Sequence, residues 1–98
     1  MTIDQIKSFC SISVCGSFTI AAHKLFRSQP AISNQIKLLE EELGEKLFIR
    51  VRPKFHEGGI ILTSAGETFL PYAQQILELQ EEARRMVRGN GDEQLNSV

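Results

Sequence analysis

Gln29, Pro30, Ser33 and Asn34 fall within six consecutive residues and carry the groups that read base edges in a DNA groove. The Gln29 amide can pair with adenine in bidentate fashion, Ser33 and Asn34 can both donate and accept, and the Pro30 ring can touch a thymine methyl. Further along, Lys46, Arg50, Arg52 and Lys54 precede His56 with no acid among them. Such a cluster can straddle phosphates or enter a narrow minor groove, where arginine is favoured. The acids are gathered elsewhere, in Glu40, Glu41, Glu42 and Glu45 and again in Glu78, Glu81 and Glu82. The net charge of −1 therefore conceals a local basic surface, and local surface is what a polyanion meets.

Other chemistries find little support. The histidines, His23 and His56, belong to no metal-ligand spacing, and the chain has neither a glycine-rich phosphate loop nor a nucleophile elbow. No catalytic residues, no metal site and no cofactor are expected in this chain. Cys10 and Cys15 are five apart on one predicted helix, which separates their Cα atoms by about 8–9 Å. That is too far for a disulfide, so both read as small packing residues in a reduced, cytoplasmic protein. No apolar run approaches the roughly 18–20 residues of a membrane span.

The elements that must position these groups follow from capping and periodicity. Thr2-Ile3-Asp4-Gln5 has the form of a capping box, and Ile6, Phe9, Cys10 and Ser13 recur at helical spacing, so a first helix spans Ile3 to Val14 before Gly16. Thr19 is the preferred cap of a short second helix containing Ala21, Ala22 and Leu25, with small residues on its inner face that allow close approach. After a break at Phe26-Arg27-Ser28, Ser28 caps a third helix over residues 29–43 with Pro30 in its first turn. Its apolar stripe is Ile32, Ile36, Leu39 and Leu43, and Gly44 ends it. A short helix, a tight turn and a second helix with a polar outer face make a helix-turn-helix.

The pattern then changes. Leu47–Val51 and Gly59–Leu62 read as two strands flanking a long basic tip, a wing over residues 50–60 in which Pro53 suits a loop. Thr63 or Ser64 caps a long helix over residues 64–88, with apolar residues at three- and four-residue spacing and Pro71 in its second turn. A helix of about 37 Å outruns so small a core, which calls for a partner, most simply the same helix of a second copy. Phe69, Ala73, Ile76, Leu79 and Ala83 are the expected dimerisation residues. Residues 89–98, aperiodic with two glycines, are expected to form a flexible tail or the start of a hinge. The fold class is thus mainly α with a small β-hairpin, a winged helix-turn-helix over residues 1–63 followed by a linker helix.

In order along the chain, Gly16-Ser17-Phe18-Thr19, Ala21-Ala22, Leu25, Ser28-Gln29-Pro30-Ala31-Ile32-Ser33, Gln35-Ile36-Lys37, Leu39-Glu40-Glu41-Glu42-Leu43-Gly44, Leu47-Phe48, Arg50 and Leu62-Thr63-Ser64-Ala65-Gly66 resemble the N-terminal domain of LysR-type transcriptional regulators. The resemblance covers residues 2 to 88. It implies sequence-specific binding of double-stranded DNA by a dimer, with the third helix in the major groove and the wing in the minor groove. Gln29, Pro30 and Ser33 match positions that approach bases, and Thr19, Ser28 and Lys37 positions that approach phosphate; Asn34 is added to the base-reading face, and Arg50, Arg52 and Lys54 to the backbone contacts. It also implies a partly palindromic operator, a homodimer through the linker helix, a higher oligomer of the full-length protein, and a C-terminal domain, missing here, that senses a small-molecule effector. Two departures stand out: Asn34 occupies a position where arginine or lysine is common, and the segment between Arg50 and Leu62 is several residues longer than the family pattern. The competing reading, a winged helix used for protein contact alone, predicts no DNA affinity above the non-specific level.

Overall fold

Helix α1 (Ile3–Cys15) begins at the capping box: Thr2 Oγ1 accepts from the Gln5 N–H at 3.0 Å and Gln5 Oε1 accepts from the Thr2 N–H at 3.1 Å. It extends one residue past the expected Val14, until Gly16 turns left-handed (φ 67°) and its N–H returns to the Ile12 carbonyl at 2.7 Å. Helix α2 (Phe18–Lys24) starts earlier than predicted, because Ser17, and not Thr19, is its N-cap. The Gly16 turn leaves Ser17 extended, and its Oγ accepts from the Ile20 N–H at 3.1 Å.

The end of α2 is a Schellman turn built on a phenylalanine. The Arg27 N–H reaches the Ala22 carbonyl at 2.9 Å and the Phe26 N–H reaches that of His23 at 3.2 Å, with Phe26 at φ 56° where glycine is usual. Helix α3 (Gln29–Leu43) follows the sequence expectation at both ends: Ser28 Oγ accepts from the Ala31 N–H at 3.2 Å, Pro30 lies in the first turn, and Gly44 closes it at φ 73°. Ile32, Ile36 and Leu39 are buried; Leu43, expected to continue their stripe, is exposed, being the terminal residue with no further turn beside it.

The computed structural model describes residues 1–50 and 59–97, with side chains through Gly89. The core joins Ile6, Phe9 and Ile12 of α1 to the stripe of α3, and Ala21 and Ala22, both fully buried, bring α2 against it without a protruding side chain. Strands β1 (Phe48–Arg50) and β2 (Ile60–Leu62) pair antiparallel in the register Phe48↔Leu62, Ile49↔Ile61 and Arg50↔Ile60. The expected first strand was longer; Leu47 instead lies before it as a buried core residue, and Val51 lies outside the described residues. One backbone bond fastens the hairpin to the turn between α1 and α2, and another closes the hairpin's own base. The Ile60 N–H donates to the Gly16 carbonyl at 3.3 Å, and the Thr63 N–H to that of Leu47 at 3.0 Å.

Four phenylalanines join these pieces. Phe9 stands 5.2 Å from Phe48 and 5.0 Å from Phe69, and Phe18 stands 5.9 Å from Phe48 in an edge-on arrangement. Helix α4 (Ser64–Ser97) starts where Thr63 Oγ1 accepts from the Gly66 N–H at 3.0 Å, while the same hydroxyl donates to the Lys46 carbonyl at 2.6 Å. It passes through Pro71 and continues to Ser97, across the stretch from residue 89 expected as a tail. A helix already formed gains one hydrogen bond per added residue, so it can carry a glycine at a cost of about 1 kcal/mol.

Candidate nucleic-acid interface

The first turns of α3 gather the predicted base-reading residues on one face. Pro30 and Asn34 are exposed there, and Gln29 and Ser33, one turn apart, are partly buried, with Gln29 Nε2 donating to Ser33 Oγ at 2.8 Å. The exposed N-cap Ser28 lies at the same end, where unpaired N–H groups and the helix dipole favour an anion. Thr19, displaced from the cap by Ser17, sits exposed in the first turn of α2. Lys37 extends the α3 face by one turn beyond Ser33, and Arg50, exposed at the end of β1, faces the same cleft: Ser33, Lys37, Glu40, Lys46, Ile49 and Arg50 line it between helix and hairpin. Helix and hairpin base thus form two walls of one groove. Arg52 and Lys54, the predicted tip contacts, lie outside the described residues, as does His56.

Two side-chain contacts that periodicity did not single out hold these walls in place. Ser8, buried on α1, donates from Oγ to Gln35 Oε1 on α3, a polar link between the first helix and the face-bearing one. Glu40 belongs in the sequence to an acidic cluster, yet the fold sets it apart. Its side chain is only 13% exposed, Oε2 accepts from the Leu47 N–H at 2.7 Å, and Oε1 lies 3.7 Å from Lys46 Nζ. It therefore caps the chain entering β1 and ties the hairpin to α3. The signal was available: Glu40 follows Ile36 by four residues and borders the buried stripe.

Gly66 makes the corresponding close approach from α4. A Cβ there would stand 2.3 Å from the Leu47 carbonyl oxygen, so the start of α4 packs on the hairpin base only without a side chain. The five expected dimerisation residues divide. Ala73 is fully buried, and Phe69 and Ile76 pack against the core of their own chain, because the first turns of α4 lie on α1. Leu79 and Ala83 are exposed, as are Tyr72, Met86 and Val87.

Among the described residues no group of His, Cys, Asp and Glu could hold a metal ion, and no helix is long and apolar enough to cross a membrane. His23 is exposed on α2. Both cysteines are free; Cys10 packs against the core, and burial raises its thiol pKa.

A capped helix with a polar outer face, preceded by a short helix and flanked by a two-stranded hairpin, is a winged helix-turn-helix of the DNA-binding kind. Residues 3–67 match the model of the bacterial regulatory helix-turn-helix proteins of the LysR family, and the chain belongs to that family. It is 46% identical over 84 residues to a probable RuBisCO transcriptional regulator of Cyanidioschyzon merolae, covering 86% of this chain and 26% of the relative. It is 39% identical over 85 residues to the transcriptional regulator TfdT of Cupriavidus pinatubonensis, covering 87% of this chain and 35% of that one. The CbnR_DBD–DNA complex superposes with a TM-score of 0.82 at 36% identity, covering 93% of this chain and 99% of the other. The BenM_DBD/catB site 1 DNA complex gives 0.80 at 33% identity, covering 90% and 92%. The relatives are named as transcriptional regulators. It spans about a quarter of the RuBisCO regulator's length.

Proposed function

We propose that this domain binds double-stranded DNA sequence-specifically as a dimer, inserting the first turns of α3 into the major groove and setting the wing in the minor groove. The observation that carries the reading is the polar face of Gln29, Pro30, Ser33 and Asn34 at the N-terminus of a capped helix, with Lys37 and Arg50 beside it. Short polar groups read bases there, while Thr19, Ser28, Lys37 and Arg50 neutralise or hydrogen-bond phosphates on either side. Two structural relatives of closely similar fold were solved with DNA, which supports the same use of this one. Arg52 and Lys54 extend the reading to the wing tip on the strength of their charge alone.

The two-fold symmetry of a dimer through α4 calls for a partly palindromic operator. On the same reading the full-length protein forms a higher oligomer in the cytoplasm, and a small-molecule effector binds in the part of the regulator outside this chain. Selection of duplexes from a random pool, followed by anisotropy titration over a range of salt, tests the domain directly. A recovered site with two related half-sites and a linear fall of log K with log salt is the expected outcome, with a slope of about −0.9 per phosphate neutralised. Recovery of no enriched sequence would overturn the reading.

A further inference from the structure

Gln29 Nε2 lies 2.8 Å from Ser33 Oγ, one helical turn away, and both residues are partly buried on a face whose other members are exposed. A carboxamide carries two N–H donors and one carbonyl oxygen. When the N–H trans to Oε1 is the one given to Ser33, the N–H cis to Oε1 and Oε1 itself remain side by side as a donor–acceptor pair. That pair matches adenine in the major groove, where N7 accepts and the N6 amino group donates. Guanine presents two acceptors, N7 and O6, so Oε1 would meet O6 with no hydrogen between them.

We infer that Ser33 is a positioning residue for Gln29, holding its carboxamide in the orientation that selects adenine, so that the two act as one reading unit and not as two independent base contacts. The inference rests on the DNA-binding reading given above and assigns a base to it. A free glutamine side chain loses rotamer freedom on binding and can present either end of its amide; a partner at i+4 removes both losses before DNA arrives. Asn34, exposed and without a side-chain hydrogen bond among the described residues, has no such restraint, so the fixed discrimination belongs to Gln29.

The test uses a duplex recovered by selection with the unaltered protein, and variants of it in which each A·T pair becomes G·C in turn. Dissociation constants are measured for the unaltered protein, Gln29→Ala, Ser33→Ala, the double variant and Ser33→Thr, with thermal unfolding to verify that each folds. At one adenine the unaltered protein should prefer A over G by about tenfold or more, the range of a good bidentate contact. Ser33→Ala should lose most of that preference at the same adenine as Gln29→Ala, the double variant should be little worse than either, and Ser33→Thr, which keeps the hydroxyl, should retain it. Affinity for random duplex should fall much less than affinity for the selected one. Losses that add, that fall at two different base pairs, or that are equal on all duplexes would overturn the pairing while leaving DNA reading by α3 intact. No preference by the unaltered protein for any duplex would instead overturn that reading, and the pair with it.

Discussion

Phe26 joins two unfavourable features, a left-handed backbone at φ 56° and a side chain that is 94% exposed. A non-glycine residue there costs roughly 1–2 kcal/mol, and the exposed ring recovers nothing from burial. Phe26→Gly should therefore stabilise the domain by about 0.5–1 kcal/mol once glycine's greater freedom in the unfolded chain is subtracted. Urea unfolding measures it, and a loss of stability would mean that the ring packs in a way its exposure denies. This residue also marks a limit of reading the sequence. The break at Phe26-Arg27-Ser28 was legible because Ser28 announces a helix start, but a phenylalanine in the position glycine usually fills carries no turn signal of its own. Asn34 was legible as a departure from the family pattern, and it carries a prediction at the same scale. Asn34→Arg adds a cation to an exposed position on the groove face, so affinity should rise on all duplexes and the salt slope steepen by about one unit. An unchanged slope would put residue 34 away from the phosphates.

Helices α1 and α3 were readable almost to the residue because their ends are written in side chains: a capping box at Thr2, Ser28 with Pro30, and left-handed glycines at 16 and 44. The start of α2 misled because Ser17 and Thr19 are both competent caps, and only the fold of Gly16 decides between them. The hairpin was legible as two β-rich runs, whereas its attachment was not, since that depends on contacts between residues far apart in the chain. Glu40 is the clearest instance. Glu40→Ala removes the acceptor of the Leu47 N–H and should cost about 1–3 kcal/mol, whereas Glu40→Gln keeps a carbonyl oxygen in place and should cost much less. Equal losses would assign the effect to the Lys46 ion pair, which is weakened by the exposure of Lys46. Gly66→Ala attacks the same junction from α4. Because the obstructing atom is the Leu47 backbone oxygen at 2.3 Å, helix and hairpin must separate, and the loss should reach about 2 kcal/mol or more, lowering the urea midpoint. An unaffected midpoint would show that the hairpin base can move without cost.

Across the whole molecule the determining feature is the length of α4. The radius of gyration is 16.8 Å, against about 13 Å for a compact domain of 100 residues, and the long dimension of 64 Å is more than twice either of the others. Tyr72, Leu79 and Met86 recur every seven residues, with Ile76 and Ala83 between them at alternating spacings of four and three. That is a coiled-coil repeat, and Tyr72, Leu79 and Met86 are each more than half exposed. Periodicity alone revealed that α4 is apolar along its length, but could not divide the stripe lying on α1 from the stripe left for a partner. Phe69, Ala73 and Ile76 pack on the core of their own chain, which spacing alone does not reveal without the helix's orientation. The distinction gives a paired experiment. Leu79→Lys with Met86→Lys should yield a folded monomer by sedimentation equilibrium, whereas Phe69→Lys should unfold the domain by placing a charge beside the Phe9 ring. The folded monomer should bind one half-site much as a single domain of the dimer does, yet lose the gain of a palindromic duplex, because the second contact is no longer held near by the first. A Leu79/Met86 variant that still sediments as a dimer would move the interface off this stripe, and unchanged palindrome affinity in a true monomer would show that the two half-sites are read independently.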